Sequence, residues 1–315
     1  MEAEAGLPWR GKLAVVAFAV LPVLVLGIAA GSPLHAQPVL PDPAQSAASQ
    51  ASPSTNLSGE ETQALVHAVL QTELNAAQDP THPMQYRLRK VSPRLATTKR
   101  IVETKDGDVA RLLSINDGPL SPQDEQNEEA RLQGLLNDPS LQRHRQQREQ
   151  GDTERARKVM RALPDAFLYT FAGIADTPRG PSYRLSFQPN PSFDPQDLEA
   201  QVLKGMAGEL WIDVAQHRVT RLEGKRIRDV DYGWGILGKL DQGGTLLLEQ
   251  ADIGNHQWRT THMVLVMNAR FLVKTVKLDT SLELSQFEPV TAGMSYQQAI
   301  QMLEPHGKPS SGPGQ

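Results

Sequence analysis

The chain has 315 residues, no cysteine, a formal net charge of −4 and a pI near 6.1. The missing thiols exclude disulfides, thiolate zinc sites, cysteine nucleophiles and the lipid-bearing cysteine of a bacterial lipoprotein. The mild acidity argues against a nucleic-acid partner, because phosphate binding needs a concentrated basic face.

Residues 1–36 read as a secretory signal. Arg10 and Lys12 precede an uncharged apolar run from Leu13 to Ala30, and Leu34-His35-Ala36 ends like a cleavage site. The run is also long enough to stay as an N-terminal membrane anchor. Pro22 and the cleavage-like end favour removal. Either way the rest of the chain is expected across a membrane, periplasmic or secreted. Residues 37–57 are rich in Pro, Ala, Ser and Gln and read as a disordered linker.

A folded domain is expected over residues 58–290. Ser58 and Glu61 form a capping box, and Leu65, Val66, Val69, Leu70 and Leu74 follow at helical spacing. Strands are predicted at Met84 to Val91, Thr97 to Thr104 and Val109 to Ile115. Arg87, Arg89, Lys90, Arg94, Lys99 and Arg100 make these strands basic. They read as a solvated face or as a patch for an anionic headgroup or acidic partner.

A charged helical insertion, 121–161, comes next. Ser121-Pro122 opens it, Asp138-Pro139 interrupts it, and its charge runs from acidic to basic. It reads as a helical hairpin lying over the sheet or projecting from it, and as a candidate surface for an envelope protein partner. Strands resume at Phe167 to Ile174 and Ser182 to Gln188, with a short helix over Pro195 to Lys204.

The last third is a near-continuous antiparallel meander: Glu209 to Val214, Arg218 to Arg228, Gly244 to Ala251, Gln257 to Ala269, Arg270 to Leu278 and Ser281 to Phe287. Its connections are too short for crossover helices. Residues 291–315 read as a short helix around Tyr296 to Leu303 and a disordered tail.

No motif for an enzyme emerges. The segment has no nucleophile elbow and no phosphate-cradling loop, and no cofactor is expected. His256 and His262 are placed on one strand face, which would need a third ligand to bind zinc, so no metal is expected. Asp229 with Asp231, and Glu209 with Asp213, are carboxylate pairs that suit acid–base chemistry or a solvated face beside Arg226 and Arg228. The glycine-rich stretch from Tyr232 to Leu240 carries Trp234, Ile236 and Leu237. It reads as a mobile apolar loop or as a hairpin folded over the core.

Met263, Leu265, Met267 and Ala269 face one way on their strand, and Val264 and Val266 the other. A sheet wetted on one side should alternate polar with apolar. This strand therefore asks for cover on both faces, from helices or from a cavity. Methionines suit a wall that adapts to ligands of different shape.

Gly208-Glu-Leu-Trp-Ile-Asp213, followed by His217-Arg-Val-Thr-Arg-Leu-Glu223, resembles the outer-membrane lipoprotein-sorting superfamily of the LolA/LolB type. The resemblance implies an α+β fold: a strongly curved antiparallel sheet, an unclosed barrel, with helices on its concave face. It also implies a non-enzymatic binding protein whose apolar lumen takes acyl chains or a lipidated partner. The wall residues expected on this reading are Trp211, Trp234, Met263, Leu265, Met267, Phe271 and Val273.

Overall fold

The computed structural model describes residues 56–77, 79–232, 238–271 and 274–304. The secretory signal, most of the linker, the tail after Glu304 and the loop residues Trp234, Ile236 and Leu237 lie outside the described residues, as does Val273.

The chain opens with helix α1 (Gly59–Ala76), then strands β1 (Met84–Ser92), β2 (Leu95–Val102), β3 (Val109–Ile115) and β4 (Gly118–Pro119). Helices α2 (Pro122–Asn137) and α3 (Pro139–Ala166) follow, then β5 (Phe167–Thr177) and β6 (Gly180–Pro189). A single 3-10 turn (Glu199–Leu203) precedes β7 (Met206–Asp213) and β8 (Val219–Arg226). The rest is β9 (Val230–Tyr232), β10 (Gly238–Leu240), β11 (Thr245–Asp252), β12 (Trp258–Phe271), β13 (Lys274–Pro289) and helix α4 (Tyr296–Leu303).

All strands join one antiparallel sheet in the order β4-β3-β2-β1-β13-β12-β11-β8-β7-β6-β5, with the β9–β10 hairpin attached to β12. The sheet is unclosed, and one of its faces lines a single interior reached from β1 through to β5, so it curves around that interior. The chain starts in the middle of the sheet and runs out to the β4 edge. It then crosses to the opposite edge at β5 and winds back until β13 lies beside β1.

This order changes the meaning of the charged helices. The segment read as an insertion is the crossover between the two edges of the sheet. Asp138 breaks it into two helices and caps the second by accepting from the Ser140 N–H at 2.9 Å. Leu132 and Leu135 of α2 pack with α4 against Val102 and Val109. Val159 of α3 packs with Val66, Val69 and Leu70 of α1 in the main core. The arginines that make α3 look like a free surface are largely answered on the protein itself: Arg155 by Asp152, Arg157 and Arg161 by Glu154, and Lys158 by Asp197 and Glu199 of the 3-10 segment.

α1 begins where the capping box places it. Ser58 Oγ accepts from the Glu61 N–H at 3.2 Å, and the Glu61 carboxylate accepts from the Ser58 N–H at 2.8 Å. Of the strand expected over Arg270 to Leu278, Arg270 and Phe271 end β12, and the part from Lys274 is continuous with the strand expected over Ser281 to Phe287, as the single strand β13. Its alternation passes unbroken through Val276, Leu278, Thr280, Leu282 and Leu284, and Asp279 stays in register with Val266.

Candidate functional site

The interior enclosed by the sheet, α1, α3 and the 3-10 turn contains a cavity of about 180 Å³. That exceeds the ~150 Å³ apolar hole that admits benzene in an engineered protein core. The cavity runs along β8. Val219 and Arg226 both line it and stand seven residues apart on that strand, roughly 23 Å in extended chain. Its walls are period-two faces of neighbouring strands: Leu210 of β7, Leu222 of β8, Leu246 and Leu248 of β11, Leu265 and Met267 of β12. Leu70 of α1 and Val159 and Leu163 of α3 roof it.

Gly224 of β8 lines the cavity without bringing a side chain into it, and its partner on β7 is also a glycine. Gly208 is in register with Gly224. A Cβ on Gly208 would sit 1.9 Å from the Glu223 carbonyl oxygen, so the two backbones approach more closely than any side chain allows. A Cβ on Gly224 would press on the Met206 Cε at 2.5 Å and touch the Phe187 ring at an ordinary 3.9 Å.

The two ends differ in charge. At the Val219 end, Glu73 of α1 takes both Nε and Nη2 of Arg218 at 2.8 and 2.9 Å. The same carboxylate accepts from the Val219 N–H at 3.0 Å and from the Gln250 amide at 3.3 Å. Trp258 lies beneath the Arg218 guanidinium, 5.8 Å from carbon to ring centre, and donates its indole N–H to Gln216 at 2.8 Å.

Glu103, at the end of β2, also lines this region. Burial pushes its carboxyl up to about 7, against the pull of the Arg259 guanidinium and of the Met84 N–H that it accepts at 2.9 Å. Asp108 nearby is raised well above the ordinary carboxylate range by burial and by Glu103 and Glu149. At the opposite end stands Arg226, 1% exposed.

The expected wall residues are distributed as follows. Leu265 and Met267 line the cavity. Met263 shares their face but is fully buried in a packed cluster with Met84, Tyr86, Leu248, Leu282 and Leu284. Trp211 points away: Leu210 and Ile212 face inward, so the residue between them stands on the outer face. There its indole N–H donates to Glu209 at 3.0 Å and Arg221 lies over its ring. Phe271 is the last residue of β12, paired with Lys274. The tryptophan that does line the cavity, Trp258, was not singled out from the sequence.

Val264 and Val266 do not lie beneath a second layer. They are half-buried on the outer face, Val264 opposite Leu247 and Val266 opposite Thr245. That outer face otherwise carries a ladder of ion pairs, Arg184 with Glu209, Arg221 with Glu223 and Glu249, and Arg89 with Glu283 and Asp117, and His262 is within hydrogen-bond distance of Glu249 at 3.1 Å. The basic residues of the early strands thus join a mixed-charge surface in part.

The other sequence candidates have local structural roles. Asp229 pairs with Lys239 at 2.8 Å and accepts from the Gln242 N–H. Asp213 accepts from the Ala215 and Gln216 N–H groups in the β7–β8 turn. His256 is not on the β12 face with His262: it sits in the preceding turn with φ +57° and contacts Gln216. Among the described residues no three His, Asp or Glu side chains gather in a metal-binding group, and no helix is long and apolar enough to cross a membrane.

No protein-family model and no curated protein matches the chain. Two solved structures are similar to it. One, from Vibrio parahaemolyticus, carries the name of an outer membrane lipoprotein-sorting protein domain. It shares 9% identity and a TM-score of 0.31, over 78% of this chain and 99% of the other. The second, a DUF1329 family protein from Desulfovibrio piger, shares 12% identity and a TM-score of 0.27, over 74% and 95%. The first bears the name of the superfamily that the Gly208–Glu223 segment resembles. Likeness at this level is remote and carries no argument about ligand or activity.

Proposed function

We propose that the chain is an exported, non-enzymatic binding protein that holds an acyl chain, free or attached to a lipidated partner, in the cavity along β8. One observation carries the reading. The curved sheet and its roof enclose an elongated, mainly aliphatic cavity of about 180 Å³ with its polar groups confined to the ends, the form expected of a site for an apolar ligand. The apolar N-terminal run supports export. The carboxylates that suggested acid–base chemistry lie on turns and on the outer face, apart from the cavity, which favours binding over catalysis.

The crossover helices favour this reading over a separate partner-docking role. α3 contributes Val159 and Leu163 to the cavity roof, and its basic side chains are largely paired within the protein. The test is native mass spectrometry of the protein purified from a bacterial host, followed by titration with a fluorescent fatty acid. Co-purified lipid, or saturable binding at one site per chain, is the expected result. A protein with no bound lipid and no saturable uptake of any fatty acid overturns the proposal.

A further inference from the structure

Arg226 stands apart from the other buried arginines. Arg218 is held by Glu73, Arg111 by Glu125, and Arg145 lies 4.0 Å from Glu149. Arg226 is 1% exposed and has no ion pair among the described residues. Its terminal nitrogens donate to the backbone carbonyls of Lys204 and Val202 at 3.4 and 3.2 Å, and its Nε–H is buried without a partner. Burial pulls the guanidinium down to about 10 and no carboxylate pulls it back, so it remains a cation at neutral pH.

A buried charge without a partner costs several kcal/mol. Two neutral carbonyls satisfy two of the five guanidinium N–H groups. Three remain, the Nε–H among them, and adjacent N–H groups of a guanidinium form the fork that grips a carboxylate or phosphate with two hydrogen bonds. Arg226 lines the cavity, and its in-phase neighbour on β8 is Gly224, which brings no side chain to crowd it. Beyond Gly224 the lining turns aliphatic, with Leu222 and Leu246. A charged end followed by an apolar tube matches a single-chain amphiphile.

We propose that Arg226 is the docking point for an anionic oxyanion head group, carboxylate or phosphate, of the amphiphile whose chain occupies the cavity. This rests on the acyl-binding function above and specifies its ligand class. The head group lies at the Val202–Lys204 end, and the tail runs along β8 toward Val219.

The test compares cis-parinaric acid with its methyl ester on the full, delipidated chain. The chain tail is the same in both, and only the acid carries charge. The wild type is expected to bind the acid about ten- to a hundredfold more tightly, the range of hydrogen bonds to a charged group. Arg226→Met keeps the length and removes the charge. It should bind the ester as the wild type does and lose the preference for the acid, while Arg226→Lys keeps part of it. A guanidinium that merely clamps the 3-10 segment would alter stability without altering the acid-to-ester ratio. Equal wild-type binding of acid and ester, or an undiminished preference in Arg226→Met, overturns the head-group site and leaves acyl binding standing. Binding of neither probe overturns both.

Displacement of the bound acid by laurate, dodecyl phosphate and dodecanol adds an arm that needs no variant. Stronger displacement by laurate or by dodecyl phosphate assigns the head group. Dodecanol as effective as either overturns the site.

Discussion

Glu73 of α1 holds Arg218, just ahead of β8, through two hydrogen bonds of 2.8 and 2.9 Å. The pair joins the first helix to an interior strand of the sheet across a separation of 145 residues in sequence. It is largely shielded from water, and Val219 and Gln250 fill the remaining acceptor sites of the carboxylate. Removing one partner from such a pair leaves the other as an uncompensated buried charge, at a cost of about 3–5 kcal/mol. Glu73→Leu should lose that much in urea unfolding, with an unchanged m-value. The double variant Glu73→Leu/Arg218→Leu should recover much of it, because no lone charge remains. A single variant that loses less than about 1 kcal/mol would show that the pair is solvated and not structural.

Glu103 sets a pH dependence of the opposite sign to the usual carboxylate. Its ordinary value is 4.5 and burial pushes it to about 7. Between these values the folded protein holds a proton that the unfolded chain has released. Stability is therefore fully present below pH 4.5 and is lost as pH rises through 7, by up to about 1.4 kcal/mol per pH unit. The groups that face it are Arg259, which opposes the shift, and Asp108, whose own carboxyl is raised in the same direction. Glu103→Gln keeps an acceptor for the Met84 N–H and removes the titration. Its melting temperature should change less between pH 5 and 7.5 than that of the wild type, and Glu103→Gln/Asp108→Asn should flatten the dependence further. A wild type that gains stability over that interval contradicts the assignment.

Arg221 and Glu249 meet at 2.8 Å on the outer face, both about one-third exposed. The contact is as short as those between Glu73 and Arg218, but it is one hydrogen bond where they make two, and it is far more exposed. Water and salt screen the outer pair, so its contribution should be roughly 0–1 kcal/mol. Glu249→Ala, compared with Glu73→Leu under identical conditions, should shift the unfolding midpoint only slightly and lose even that effect at high salt. A cost comparable to Glu73→Leu would mean that the outer face is covered in solution.

Period-two patterning made most of the strands legible, and the Ser58–Glu61 box placed the start of α1. Pairing over long separations was not legible. Nothing local states that β1 lies beside β13, with Leu88 opposite Leu284, and without that pairing α2 and α3 look like an insertion instead of a crossover. The site was half legible for a related reason. Trp211 drew attention through its motif, yet Leu210 and Ile212 are the inward residues, and a one-residue offset in a strand moves a side chain to the opposite face. The same rule applied to β8 would have found Arg226, which falls in phase with Leu222 and Gly224. Its position beside Arg228, Asp229 and Asp231 suggested a solvated charged stretch, and only the covering 3-10 segment makes it buried.

Gly208 and Gly224 are register partners, but substitution at the two should give different outcomes. At Gly208 a Cβ collides with backbone, 1.9 Å from the Glu223 oxygen, and backbone can yield only by separating β7 from β8. Gly208→Ala should therefore destabilise by several kcal/mol, seen as a large drop in urea midpoint. At Gly224 the contact is the end of the flexible Met206 side chain, which can swing aside. A β-branched residue also suits a strand better than glycine does. Gly224→Val should stay folded, within about 1 kcal/mol of the wild type, while its side chain enters the cavity beside Arg226. Loss of fatty-acid binding by tenfold or more, at near wild-type stability, is the expected outcome. Full binding by a folded Gly224→Val protein would place the ligand elsewhere than along β8.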